Sequence, residues 1–214
     1  MARLFTIASL AAALVSLFVG MTASAQPSTA DGKRRDVQRP TFPVPTAPAP
    51  DGFEFGTIDW QGWLDEFRKQ KTARTGSLPD GAIVREKEVV PTLPVLLPVE
   101  PALMRSVRVF FEPNSYSASG DIGRANVTIY GTHVFRKRAP DDPIARAAAA
   151  APRETLPNGV QVRVTTAEAG INLTFTRWGA AYLISIECED INRDARCSDP
   201  DYIKSLAENM ATIG

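Results

Sequence analysis

One histidine, His133, and two cysteines, Cys188 and Cys197, are the whole supply of these side chains in 214 residues. That scarcity excludes a zinc site built from several Cys and His ligands. No G-x-S-x-G elbow, H-E-x-x-H helix, phosphate-binding glycine loop or dinucleotide fingerprint occurs. A lone histidine in a strand, without a paired nucleophile, reads as a structural or surface residue. Charge of one sign is also lacking: Lys+Arg and Asp+Glu both number 24. A balanced chain gives no global electrostatic case for nucleic acid, and none is expected as a partner. Three local basic runs exist, at Lys33-Arg34-Arg35, Arg68-Lys69-Gln70-Lys71 and Arg136-Lys137-Arg138. They read as solvated faces or tails, with contact to anionic headgroups or wall polymer as the sharper alternative.

Only one long apolar run is present, and it comes first. Arg3 is followed by apolar residues from Leu4 to Met21, then by Ala23-Ser24-Ala25 before Gln26. A charged start, an apolar stretch and a small-x-small site make a secretory signal pattern, so residues 1–25 are expected to be a cleaved signal peptide. The rival reading is an uncleaved membrane anchor. No cysteine stands near the cleavage point, which excludes a diacylglyceryl-cysteine anchor. Arg34-Arg35 follows the apolar run, so it is not a twin-arginine signal. With residues 1–25 removed, Lys+Arg falls from 24 to 23, Asp+Glu stays at 24, and the net charge becomes −1. The protein is expected to be periplasmic or secreted, with no transmembrane helix after signal removal.

Export makes an even cysteine count a disulfide signal, and Cys188–Cys197 is the expected bond. Its short loop is worth about 2–3 kcal/mol by loop entropy. The spacing does not suit a C-x-x-C redox pair. Between the cysteines lies the nearest approach to a ligand motif. Asp190, Asn192 and Asp194 occupy positions 1, 3 and 5 of a calcium loop, and Asp201 falls at position 12. Ala195 replaces the glycine at position 6, and Arg193 and Arg196 oppose a cation. A solvated, disulfide-clamped acidic loop is the plainer reading. The acceptor patterns at Asn126 and Asn172 fall inside expected strands and are discounted.

Residues 26–56 read as a disordered proline-rich linker, because the alternation from Arg39 to Pro50 favours extended polyproline II. A single domain is expected over 57–214. Trp60, Trp63, Leu64 and Phe67 share one face of a helix near 59–75, started by Thr57 or Asp59 and stopped by Gly76. That aromatic stripe is either core or an interaction face comprising Trp60, Trp63 and Phe67. The stretch Val89–Pro101 carries prolines and large aliphatics, which suits an extended segment along the core. Core strands are expected over 106–188, with Ala180–Ile186 central. A short helix is expected at Ala145–Ala151, with Pro143 at its first position. A last helix is expected over 200–213, with stripe Ile203, Leu206, Met210 and Ile213. Val107–Phe111 is echoed at Val162–Thr166, and Asn126–Gly131 at Asn172–Thr176, which raises a degenerate duplication.

The fold class is therefore α+β: an antiparallel sheet with the N-terminal and C-terminal helices packed on it. The segments Leu93-Pro94-Val95-Leu96-Leu97-Pro98, Ile186-Glu187-Cys188 and Asp194-Ala195-Arg196-Cys197, with the terminal helix, resemble uncharacterised exported bacterial proteins over residues 93–214. The resemblance implies export and a compact domain and brings no activity. A non-enzymatic binding or interaction module for an envelope protein or cell-wall component is the favoured function. No cofactor is expected. The alternative is a periplasmic hydrolase acting on envelope polymer, through carboxylates that the sequence does not select.

Overall fold

The computed structural model describes residues 42–45, 48–73, 83–84, 89–139 and 141–213. The signal segment, most of the linker and Gly76 lie outside the described residues. The elements run β1 Phe53–Phe55, α1 Trp60–Ala73, β2 Ile83–Val84, β3 Val95–Pro98, α2 Pro101–Ser106, β4 Arg108–Glu112, β5 Ser115–Ile122 and β6 Ala125–Thr132. They continue with β7 Val134–Arg136, α3 Pro143–Ala150, β8 Glu154–Thr155, β9 Gln161–Ala167, β10 Gly170–Arg177, β11 Ala180–Cys188, α4 Pro200–Glu208 and β12 Met210–Ile213.

The main sheet has the order β2-β4-β5-β6-β11-β10-β9-β8, and only β2 and β4 pair in parallel. It consists of two meanders, β4–β5–β6 and β9–β10–β11, joined where β6 pairs with β11. The expected central strand is therefore central. Alternation sets the faces, because successive side chains point to opposite sides. Val109, Ala118, Ile129, Ile184 and Leu173 lie in one cross-strand row on the inner face and are buried. Burying each large aliphatic of such a row stabilises by about 1.5–3 kcal/mol. Leu103 of α2 and Ile203, Leu206 and Ala207 of α4 complete this core.

The next inner row runs Tyr116, Gly131, Tyr182, Phe175. Gly131 is required there. A Cβ on it would lie 2.2 Å from Cε1 of Tyr116, whose ring fills the missing side chain's space. Both tyrosines reach the buried proline-rich segment above the sheet. The Tyr116 hydroxyl accepts from the Leu96 N–H at 3.0 Å and donates to the Leu96 carbonyl at 2.7 Å. Tyr182 donates to the Pro94 carbonyl at 2.9 Å. Burial pushes both phenols above their ordinary pKa, Tyr116 despite its bond to Leu96 and Tyr182 with the nearby Tyr116 adding to the effect.

Four expectations are corrected. The last helix stops at Glu208, and residues 210–213 form β12, antiparallel to β3. Asn209 caps that helix through its N–H and side chain on the Ser205 carbonyl. The strand wins because β3 is buried along its length and its backbone groups need partners. Met210 is buried in the strand, as a core-facing stripe residue would be in a helix, so its apolar character did not tell the two apart. The linker reading fails at its end, where residues 53–55 pair with β7. Helix α1 contributes no buried residue to the core, among those described, whereas the unexpected α2 does. The duplication echo equates β4 with β9 but β6 with β10, so it matches the third strand of the first meander with the second strand of the other.

Other readings hold. Pro143 opens α3 and Asp142 caps it, accepting from the Ile144 and Ala145 N–H groups. Asp199 caps α4 with Pro200 at its first turn. Cys188 and Cys197 are bonded, with Cα atoms 6.1 Å apart. The bond holds a short 3-10 turn, Ala195–Cys197, against the end of β11 just before α4.

Tyr116→Phe should lower stability by about 1–3 kcal/mol, because the Leu96 N–H and carbonyl lose a buried partner. Urea denaturation with an unchanged slope is the check; no loss of stability would remove the tyrosine clamp. Reduction of Cys188–Cys197 should cost about 2–3 kcal/mol. Thiol labelling before and after reductant, followed by a thermal melt, measures it. Free labelling of the native protein would deny the bond.

Candidate binding site

Helix α1 is placed by its first residues. The Asp59 carboxylate accepts from the Gly62 N–H at 2.8 Å, and the Asp59 N–H donates to the Trp178 carbonyl at 3.0 Å. Of the two expected caps, Asp59 is therefore the one used. Trp178 and Gly179 make the β10–β11 turn with φ of 48° and 80°, the left-handed pair of a tight hairpin. Gly179 also admits the Thr57 carbonyl, which a Cβ would meet at 1.9 Å. One turn further along, Glu66 pairs with Arg177, whose guanidinium lies 4.5 Å from the Trp178 ring centroid.

Docking through the cap and Glu66 leaves the aromatic stripe half-buried at the rim. Trp60 and Trp63 meet edge-to-face at 5.5 Å, and Trp63 stacks on Phe67 at 5.4 Å. Phe42, from the proline-rich stretch, lies flat on Trp60 at 5.0 Å and edge-on to Trp63 at 6.4 Å. Offset and edge-to-face pairs of this kind are each worth about 0.5–1.5 kcal/mol beyond their area. The indole Nε1 of Trp63 is buried with no hydrogen-bond partner among the described residues. Trp60, Trp63 and Phe67 thus form one continuous set of rings, and Phe42, from an extended segment of the chain itself, sits on it. Phe42 escaped the sequence reading because a proline run reads as a spacer. The available signal was a single large aromatic among small residues and prolines.

Beside the rings is a cleft of about 590 Å³. Pro43, Pro45 and Pro48 form one wall, and Phe55, Ile58 and His133 contribute to the other. His133 is buried and stacks on Phe55 at 5.1 Å. Its Nε2 is 2.9 Å from the Thr92 hydroxyl, which donates to the Pro113 carbonyl at 2.6 Å. Its Nδ1 faces the Gly56 carbonyl at 3.4 Å. Burial lowers its pKa, partly offset by the bond to Gly56. A relay base needs a carboxylate on one nitrogen and a nucleophile beside the other. The contacts here are a carbonyl, a threonine and, at 3.4 Å, the Asn114 amide oxygen. His133 therefore acts as a strut, tying the segment before α1 to the sheet. Among the described residues no carboxylate lines the cleft, and none there forms a pair of the kind glycoside hydrolysis uses.

No family model, curated protein or solved structure matches this chain.

The calcium candidates do not converge. Asp190 accepts from the Asn192 N–H at 3.1 Å and pairs with Arg193 at 3.2 Å. Asp194 caps the 3-10 turn and is forked onto Arg196, which holds its pKa below the carboxylate range. Asp201 is exposed on α4, 3.5 Å from Lys204. Among the described residues no three His, Cys, Asp or Glu side chains gather as a metal set. The loop alternates Asp with Arg, and each carboxylate is neutralised by its neighbour rather than turned to a common centre.

His133 sets a pH dependence. Its folded pKa lies below the unfolded value of about 6.5, so the unfolded chain takes up the proton first. The stabilising effect of the neutral ring is complete above about pH 6.5 and is lost as pH falls below it. Denaturation curves between about pH 7 and pH 5 should show falling stability. His133→Gln should flatten that slope. A slope unchanged by the substitution would contradict the strut.

Proposed function

We propose that this chain is an exported, non-enzymatic binding module of the cell envelope, whose partner, an envelope protein or cell-wall component, is engaged through the α1 stripe. One observation carries this reading: Trp60, Trp63 and Phe67 form a continuous ring surface at the rim of the domain, with Phe42 of an extended proline-flanked segment stacked on it. A surface that accepts Phe42 has the flat apolar shape that takes an aromatic or proline-bearing ligand. Aromatic clusters with one wet side are common anchors of binding energy. The signal pattern and proline-rich stretch support an envelope setting, in which a tether gives the domain reach.

A photo-crosslinker at Gln61, exposed beside the stripe, tests the reading in intact envelopes. A discrete adduct should form with the wild-type background and disappear when Trp60→Ala and Trp63→Ala are added. A thermal melt should show that the double variant remains folded. An adduct indifferent to the two tryptophans, or none at all, would defeat the proposal.

A further inference from the structure

A second cleft, of about 380 Å³, lies between α3 and the outer face of the strands β9 and β10. Ala145, Ala148 and Ala149 of α3 contribute one wall. Arg163, Thr174 and Thr176 contribute the other, and Arg153 adds a second guanidinium. Register explains the grouping. Thr174 is the cross-strand partner of Arg163, and Thr176 lies two residues along the same face. Their neighbours Val162, Leu173 and Phe175 are buried, and Val162 and Phe175 also contribute to the lining of the cleft.

Among the described residues two arginines and no carboxylate line the cleft, which is therefore cationic. The Arg163 guanidinium donates to the Ala148 carbonyl in the last turn of α3. Its Nε is buried and has no hydrogen-bond partner among the described residues. An unmet buried donor on a charged group is costly, and an anion in the cleft would satisfy it. Arg163 already spends part of its fork on Ala148, so the remaining donors match one negative charge rather than a polyanion. The methyl groups of the alanines leave room beside that charge for a small aliphatic substituent. Helix α3 has no buried residue and so contributes nothing to the core. Its position over the two threonines instead shapes this cleft.

We infer that the α3–β9–β10 cleft binds a carboxylate carried on a small aliphatic carbon, as at the alanine-type C-terminus of a short peptide. Arg163 and Arg153 hold the carboxylate, Thr174 and Thr176 offer hydroxyls to it, and the α3 alanines pack on the adjoining methyl group. The volume suits a ligand of dipeptide size. This site is independent of the α1 stripe and stands or falls separately from it.

The test is a titration of the purified, disulfide-bonded protein with N-acetyl-alanyl-alanine, followed by nitrogen–proton correlation spectra. Saturable shifts are expected at the Arg163 Nε–H and at the Thr174 and Thr176 amides. The C-terminal amide of the same dipeptide should bind about tenfold or more weaker. Arg163→Gln should abolish the shifts. Because it also releases α3, Arg153→Ala serves as the second variant: Arg153 is exposed, and its loss should weaken binding several-fold without changing the thermal melt. Equal binding of acid and amide, displacement by inorganic phosphate at equal concentration, or no saturable shift would each overturn the assignment.

Discussion

Two buried phenol hydroxyls hold a proline-interrupted segment onto a sheet, and the rest of the core is arranged around that contact. Residues 93–98 bring Leu93, Val95, Leu96 and Leu97 into the interior, but Pro94 and Pro98 remove two backbone donors. Such a segment cannot join the middle of a regular ladder. Tyr116 and Tyr182 solve the problem by reaching across from β5 and β11 to bond the Leu96 and Pro94 backbone. The two rings stand on either side of Gly131 in one cross-strand row, and the glycine leaves the space that Tyr116 occupies. On the other side β12 supplies the remaining ladder. The large aliphatics are thereby buried without leaving their backbone unpaired, which satisfies both terms that decide the fate of such a segment.

Much of this was legible in the sequence, and what was not has identifiable causes. Alternation of Val127 and Ile129, and of Leu173 and Phe175, gave the strands and their inner faces, because a half-buried strand must alternate. Asp142-Pro143 and Asp199-Pro200 announced helix starts through cap chemistry that acts over three residues. The disulfide followed from the signal pattern and an even cysteine count. By contrast, β12 depends on pairing with a segment more than a hundred residues earlier, which no local pattern encodes. The capture of Phe42 by Trp60 is likewise a long-range event. The calcium spacing of Asp190, Asn192 and Asp194 was real in one dimension only. Each of Asp190 and Asp194 met an arginine nearby before any third carboxylate came within reach.

The two meanders form a near-symmetric sheet through the β6–β11 seam, yet the sequence echoes do not follow that symmetry. The echo of β6 falls on β10 rather than β11. Strands of equal length facing the same kind of core draw on the same few residues, Val, Ile, Thr and Phe. Shared environment is enough by itself to produce such a resemblance. What distinguishes the halves is the outer side. The first meander leaves Phe110 and Tyr130 exposed, whereas the second carries α3 over Arg163 and Thr174.

The pairing of β3 with β12 also constrains the order in which the protein is finished. Strand β3 is formed from residues 95–98, and its partner from residues 210–213, so a growing chain carries the first long before it possesses the second. Until then an aliphatic edge strand stands open, with its hydrogen-bonding groups presented to any other chain nearby. A chain that still lacks residues 210–213 cannot close this part of its core, so the aliphatic edge stays open until they are added.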